Sequence, residues 1–169
     1  MPLTALLAMT VVVTASNWLV QFPINDLLTW GALTYPFSFL ITDLTTRLQG
    51  PERARQVVWA GFALAVALSI WLATPRIALA SGTAFLVGQL LDIQVFQRLR
   101  SGSWWRAPLV SSSLGSVVDT ALFFTLAFAG TGLPWVTLAL GDLGVKLLLA
   151  VLALAPFRAV LTLALPART

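Results

Sequence analysis

The sequence contains no cysteine and no histidine. Those absences exclude disulfides, thiol nucleophiles, imidazole general bases, His/Cys zinc sites and haem ligation by either residue. Charge is scarce as well. Asp, Glu, Lys and Arg supply 9% of the 169 residues, where soluble domains carry about 25%. A water-soluble globule this poor in charge has nothing to cover its surface. There is no G-x-x-x-x-G-K-[ST] phosphate loop, so ATP hydrolysis by that route is excluded. Rhomboid-type proteolysis requires a histidine. The string ALGDLG around Asp142 has Ala139 where an aspartyl intramembrane protease has glycine, and no Tyr-Asp pair accompanies it. The chain is therefore read as a non-enzyme with no cofactor and no metal site.

What is abundant is apolar. Hydrophobic residues make up 59% of the chain and the mean hydropathy is +0.92. A bilayer-spanning helix needs about 20 mostly apolar residues. Six stretches qualify, near 3–20, 27–47, 56–73, 77–97, 107–129 and 135–155. Runs such as KLLLAVLALA do not alternate as barrel strands do. The predicted fold is an all-α, polytopic membrane protein. It is a six-transmembrane-helix bundle with short loops, forming a single transmembrane domain over 1–169. The net charge of +4 comes from basic residues scattered between apolar runs, which suits topology and anchoring rather than nucleic acid. Arg47, Arg53, Arg55, Arg98, Arg100, Arg106, Arg158 and Arg168 fall on one side, while Arg76 sits alone on the other. The positive-inside rule then places both termini in the cytoplasm, in a multi-pass cytoplasmic (inner) membrane protein. Trp18, Trp30, Trp71, Trp104, Trp105 and Trp135 lie near span ends as an aromatic belt.

Polar groups inside such spans each need a reason, because an unpaired charge there costs several kcal/mol. Asp43 has Arg47 one turn on, so an i,i+4 ion pair and a cavity group are both open readings. Tyr35-Pro36 upstream predicts a kink or break. Gln89 and Asp92 share one helix face, flanked by Phe85 and Phe96. This is either a helix–helix contact or a platform reading the edge and covering the face of a flat ligand. Asp119 lies mid-span with no basic neighbour within a turn. It must be protonated, paired across helices or wet, which makes it the foremost site candidate. Ser112 lies on an adjacent line of the same helix. Ser111 and Gly115 offer a small-residue face for close helix approach, within the protomer or in a homodimer. Asp142 and Lys146 stand i,i+4 with the acid first; alternatively Lys146 reaches Asp119. Asn17 is an inward hydrogen-bonding group, and Asp26 a solvated cap for span 2. The expected arrangement is one solute cavity lined by Asp119, Gln89 and Asp92, with Asn17, Asp43 and Lys146 towards its ends.

The stretch TYPFSFLITDLTTRLQGPERARQVV resembles span 2 and the following loop of the queuosine precursor transporter family, also called the vitamin uptake transporter family. The matching positions are Tyr35-Pro36, Asp43, Gly50 and Ala54-Arg55. FLVGQLLDIQVFQRLR matches through Gln89, Asp92 and Phe96. WWRAPLVSSSLGSVVDTALFF matches through Trp104, Arg106, Ser111, Ser112, Asp119, Phe123 and Phe124. Asn17 and Lys146 match the asparagine of span 1 and the lysine of span 6. Arg47 stands where many members carry Glu, and Gln49 where many carry an aromatic.

The resemblance implies uptake of 7-deazaguanine bases: 7-cyano-7-deazaguanine, 7-aminomethyl-7-deazaguanine or queuine. Carboxylates suit the adjacent N–H donors of such a base, an amide suits its carbonyl, and Phe or Trp suits its flat ring. Two other readings remain open: a substrate-capture subunit of a vitamin uptake complex, and a membrane scaffold that transports nothing. The orientation is directly testable. A reporter fused to the C-terminus should be active in the cytoplasm; activity only in the periplasm would sink this topology.

Overall fold

Prolines and one glycine-lined crossing set where the helices start and how they meet. The computed structural model describes residues 3–19, 22–25, 28–72 and 74–164. α1 (Leu3–Leu19) leads to a small antiparallel ribbon, β1 (Pro23–Asn25) with β2 (Leu28–Thr29), in which Asn25 faces Leu28. There follow α2 (Trp30–Thr34), α3 (Phe37–Gln49), α4 (Pro51–Leu72), α5 (Pro75–Leu99), α6 (Arg106–Phe128), α7 (Trp135–Leu152) and α8 (Leu154–Ala164). Pro51 and Pro75 open α4 and α5, where a missing N–H costs nothing and the fixed φ suits a helix. Pro108 sits in the first turn of α6, for the same reason.

Among the described residues four helical segments are long and apolar enough to cross a membrane: Pro51–Trp71, Pro75–Leu99, Arg106–Phe128 and Trp135–Ala164, which takes in α7 and α8. α1 is apolar but shorter, at 17 residues. The expected second span is not one helix. It begins in the ribbon, which the all-α expectation did not include, and it is interrupted at Tyr35-Pro36. Pro36 has no N–H for the helical ladder. Around it the chain closes tighter bonds, from Ser38 N–H to the Tyr35 carbonyl and from Phe39 N–H to the Pro36 carbonyl. The last span breaks at Ala153. Pro156 cannot donate to the Leu152 carbonyl one turn back, and its ring crowds that carbonyl. α8 then carries Phe157 and Leu161 into a buried cluster with Phe96 and Ala107. Asp26 and Arg168 lie outside the described residues.

A second cluster joins Met9 and Val13 of α1, Ala54, Val57, Val58 and Ala65 of α4, and Phe85 and Ile93 of α5. Contacts between loops sort the arginines. Arg47 donates to the Arg100 carbonyl (2.7 Å), and Arg158 stacks over Trp104 (4.9 Å). The basic groups after α3, after α5 and in α8 therefore share one end of the bundle. At the other end Arg76 donates to the carbonyls of Leu126 (2.8 Å) and Ala129 (2.6 Å), capping the negative C-terminus of α6. Trp18, Trp30, Trp71, Trp104 and Trp105 are exposed, as an anchoring belt requires.

α5 and α6 make the most extensive helix contact. They cross at Gly88 and Gly115. A Cβ on Gly88 would stand 3.1 Å from the Gly115 carbonyl, and one on Gly115 would stand 3.1 Å from the Gly88 carbonyl and 2.7 Å from the Phe39 ring. Of the two uses open to the Ser111/Gly115 face, the one inside the protomer is made. Gly115→Ala should destabilise the protein by about 1–3 kcal/mol through overpacking. Gly144→Ala, with nothing within 4 Å of the added carbon, should leave stability unchanged or slightly raised. Thermal unfolding of the two variants in detergent checks the contrast.

Candidate functional site

Three polar clusters lie inside the helical bundle. The first is built on Lys146, whose side chain is almost wholly buried. Its ammonium has three N–H donors, and each finds an oxygen: Asp119 Oδ2 (2.7 Å), Asp142 Oδ2 (2.6 Å) and Thr120 Oγ1 (3.0 Å). Thr120 donates in turn to Asp142 (2.9 Å). The break at Pro36 lets Tyr35 donate its hydroxyl to Asp119 Oδ1 (2.8 Å), with its ring 5.3 Å from the ammonium. Both sequence readings of Lys146 hold together. It pairs within its own helix and reaches across to Asp119.

The second cluster joins α3, α5 and α6. Ser111 donates to Asp43 Oδ1 (3.0 Å) and Ser112 to Asp43 Oδ2 (2.8 Å). Both oxygens of Asp43 are thereby engaged. The Asp92 carboxyl adjoins that of Asp43. Asp92 is 0% exposed, and neither of its oxygens meets a hydrogen-bond donor. Of the two readings open for Asp43, the ion pair with Arg47 is not made among the described residues, because Arg47 is drawn to the Arg100 carbonyl instead.

The third cluster is an amide clasp. Gln89 donates through Nε2 to Ser38 Oγ (2.8 Å), and its Oε1 accepts from Thr42 (2.6 Å). These contacts fasten α5 to α3. Between α3, α6 and α7 lies a small crevice, with a cavity volume of ≈ 10 Å³, lined by Pro36, Phe39, Leu40, Ser112, Ser116, Lys146, Ala150 and Ala153. It touches the first cluster through Lys146 and the second through Ser112.

The ten residues singled out in the sequence are distributed as follows. Asp119, Lys146 and Asp142 form the first cluster; Asp43, Asp92 and Ser112 fall in the second; Gln89 is in the third. Of these ten, Ser112 and Lys146 line the crevice. Phe85 and Phe96 bracket Gln89 and Asp92 along α5 but are packed rather than open to a ligand. Phe85 sits edge-on to Tyr35 (6.3 Å) within the core, and Phe96 sits edge-on to Phe157 (6.2 Å). Asn17 donates back to the Val13 carbonyl of its own helix (2.9 Å). The bond between α1 and α2 is made by its neighbour Ser16, to Thr34 (3.0 Å). Sequence reasoning missed Ser38, Thr42, Thr120 and the role of the Tyr35 hydroxyl. Two signals were available: Ser38, Thr42 and Thr46 recur every four residues, and Tyr35 is the single tyrosine of the chain.

The arrangement of buried polar residues, broken second span and glycine crossing invites comparison with known proteins. A family model described as "Putative vitamin uptake transporter" matches residues 29–74 and 69–161. The chain belongs to this family. It is 38% identical to the "Queuosine precursor transporter" of Escherichia coli (strain K12), over 89% of this chain and 81% of that protein. It is 34% identical to the "Probable queuosine precursor transporter" of Haemophilus influenzae, over 86% of this chain and 79% of that one. A Bacillus subtilis protein of the same description is 28% identical over 60% of this chain and 57% of its own length. No solved structure matches. These relatives are named as transporters, in keeping with the reading of the chain as a non-enzyme.

The first cluster sets an order of tolerance. Lys146→Met leaves two acids, one of them buried, without a counter-ion, and breaking a buried pair this way costs about 3–5 kcal/mol. Asp119→Asn leaves the Lys146–Asp142 pair in place. Lys146→Met should therefore lower the unfolding temperature in detergent more than Asp119→Asn does; the reverse order would contradict the network.

Proposed function

We propose that the protein is a carrier for queuosine precursors, bringing 7-deazaguanine bases such as 7-cyano-7-deazaguanine, 7-aminomethyl-7-deazaguanine or queuine across the cytoplasmic membrane. The 38% identity to the Escherichia coli relative, sustained over 89% of the chain, carries this reading. The bundle crosses six times: the four long helices, α1, and the α2–α3 pair broken at Pro36. Both termini are cytoplasmic, with the arginine-rich end facing inward. The whole chain acts as one transmembrane domain. A homodimer belongs to the same proposal, on a face other than Ser111/Gly115.

The substrate site is assigned to the α3–α6–α7 crevice, with Ser112 on its wall and Asp119 behind Lys146. Such a base presents adjacent N–H donors on its pairing edge, and carboxylates accept them strongly. Gln89, Asp43 and Asp92 stand one layer further in. Phe85 and Asn17 support the α1–α2–α5 side, and Phe96 the α8 side. With a cavity volume of ≈ 10 Å³ the crevice is far smaller than ligand pockets of about 300–1,000 Å³. Binding therefore requires it to widen, and the break at Tyr35-Pro36 is where the backbone is already interrupted.

The test is uptake of a labelled 7-deazaguanine base by cells expressing the protein, beside folded Asp119→Asn and Ser112→Ala variants. Charge-assisted hydrogen bonds contribute about 1.5–3 kcal/mol, so Asp119→Asn should weaken binding roughly tenfold to a hundredfold. Wild-type uptake equal to that of cells lacking the protein would overturn the function. Wild-type behaviour in both variants would overturn the site.

A further inference from the structure

Two of the three polar clusters are complete: every N–H of Lys146 is spent, and Gln89 is held at both ends. The Asp43–Asp92 cluster is not. As carboxylates both residues are acceptors only. Asp43 draws on two serine hydroxyls, and neither oxygen of Asp92 has a hydrogen-bond partner although the same serines stand beside it. Both side chains are buried, at 2% and 0% exposure.

No cation compensates them among the described residues. α1 contributes no titratable side chain. On α4, Arg55 pairs with Glu52, and Arg53 is exposed. Arg47 of α3 is held by the Arg100 carbonyl, while Arg98 and Arg106 are exposed. Lys146 is committed to Asp142 and to Asp119, the latter about two turns further along α6 from Ser112. Two adjoining buried carboxylates without a counter-ion cannot both ionise. One proton resolves the conflict. It makes one carboxyl a donor to the other and gives one of the orphaned oxygens of Asp92 a partner. A metal cation would need a cage of about six oxygens, and among the described residues no third acidic side chain joins this pair. The proton belongs to the pair rather than to either residue.

We infer that the Asp43–Asp92 pair is a proton-binding site, loaded from one side of the membrane and emptied to the other, so that uptake is driven by a proton gradient. This rests on the transport reading above. The step is proton binding and release alone; no covalent bond to the solute forms or breaks. Ser112 links the site to the crevice, since its hydroxyl donates to Asp43 while the residue lines the crevice wall. Widening the crevice disturbs that bond and exposes the pair to proton exchange.

Infrared difference spectroscopy of the full protein in detergent tests the site without any solute. At neutral pH the wild type should show a protonated-carboxyl band that disappears in both Asp92→Asn and Asp43→Asn. In each variant an amide N–H supplies the donor that the proton supplied. A wild type without that band, or a band that persists in both variants, would overturn the inference. Proteoliposomes loaded with 7-cyano-7-deazaguanine then separate the two layers. Exchange of labelled for unlabelled base by the wild type tests transport alone. Accumulation that requires an acidic exterior and collapses with a protonophore supports the proton site. Accumulation indifferent to the proton gradient, or driven by sodium instead, refutes proton coupling while leaving transport intact.

Discussion

A single buried ammonium holds one side of this bundle together. Lys146 is the only lysine in the chain, and among the residues of α7 only it and Ala150 are buried. α7 therefore gains little from apolar packing. In lipid, helices feel no hydrophobic drive towards one another, and packing and polar bonds decide their association. Lys146 supplies the polar bonds. It grips Asp119 and Thr120 of α6, and through Asp119 it reaches the Tyr35 hydroxyl at the break between α2 and α3. One charge thus orients three elements. The cost of burying it is met by two carboxylates and a full set of hydrogen bonds.

The helices from α4 to α7 were legible in the sequence to within a few residues, because apolar runs of spanning length leave little choice. The break at Tyr35-Pro36 was legible too, since proline removes a donor wherever it sits. The ribbon at 23–29 was not. Its residues continue the apolar run into span 2, and nothing periodic separates them from a helix. The site was legible as a set of residues and not as a set of partners. Asp43 has Arg47 on its own helix face, yet Ser111 and Ser112, nearly seventy positions away in the chain, take its oxygens. Phe85 and Phe96 sit where a stacking platform would, yet other aromatic rings claim their edges. Helical spacing tells which side chains share a face. It does not tell which face of which neighbour they meet.

The three clusters differ in how completely they are satisfied, and that difference separates their roles. A closed network in a low-dielectric interior is stiff, because each bond polarises the next. The Lys146 ring and the Gln89 clasp are of this kind, and they tie α3, α5, α6 and α7 into a frame. The Asp43–Asp92 pair has an electrostatic conflict that a single small particle resolves. Stiff frame and unresolved pair are adjacent, separated by little more than Ser111 and Ser112.

The crossing of Gly88 and Gly115 has a consequence for how this sequence can change. Most helix contacts carry a reserve: a side chain that grows on one helix is accommodated by one that shrinks on the other. Here both positions already bear only hydrogen, and each would set a new Cβ 3.1 Å from the other's backbone carbonyl. Between the two glycines nothing is left to trim. A substitution at either glycine has no compensating partner across the crossing, so the only remedy is to move a whole helix, and with it Asp119, whose Cβ would lie 3.0 Å from a Cβ placed on Gly88. The two positions form a point in sequence space from which no pair of mutually rescuing steps departs.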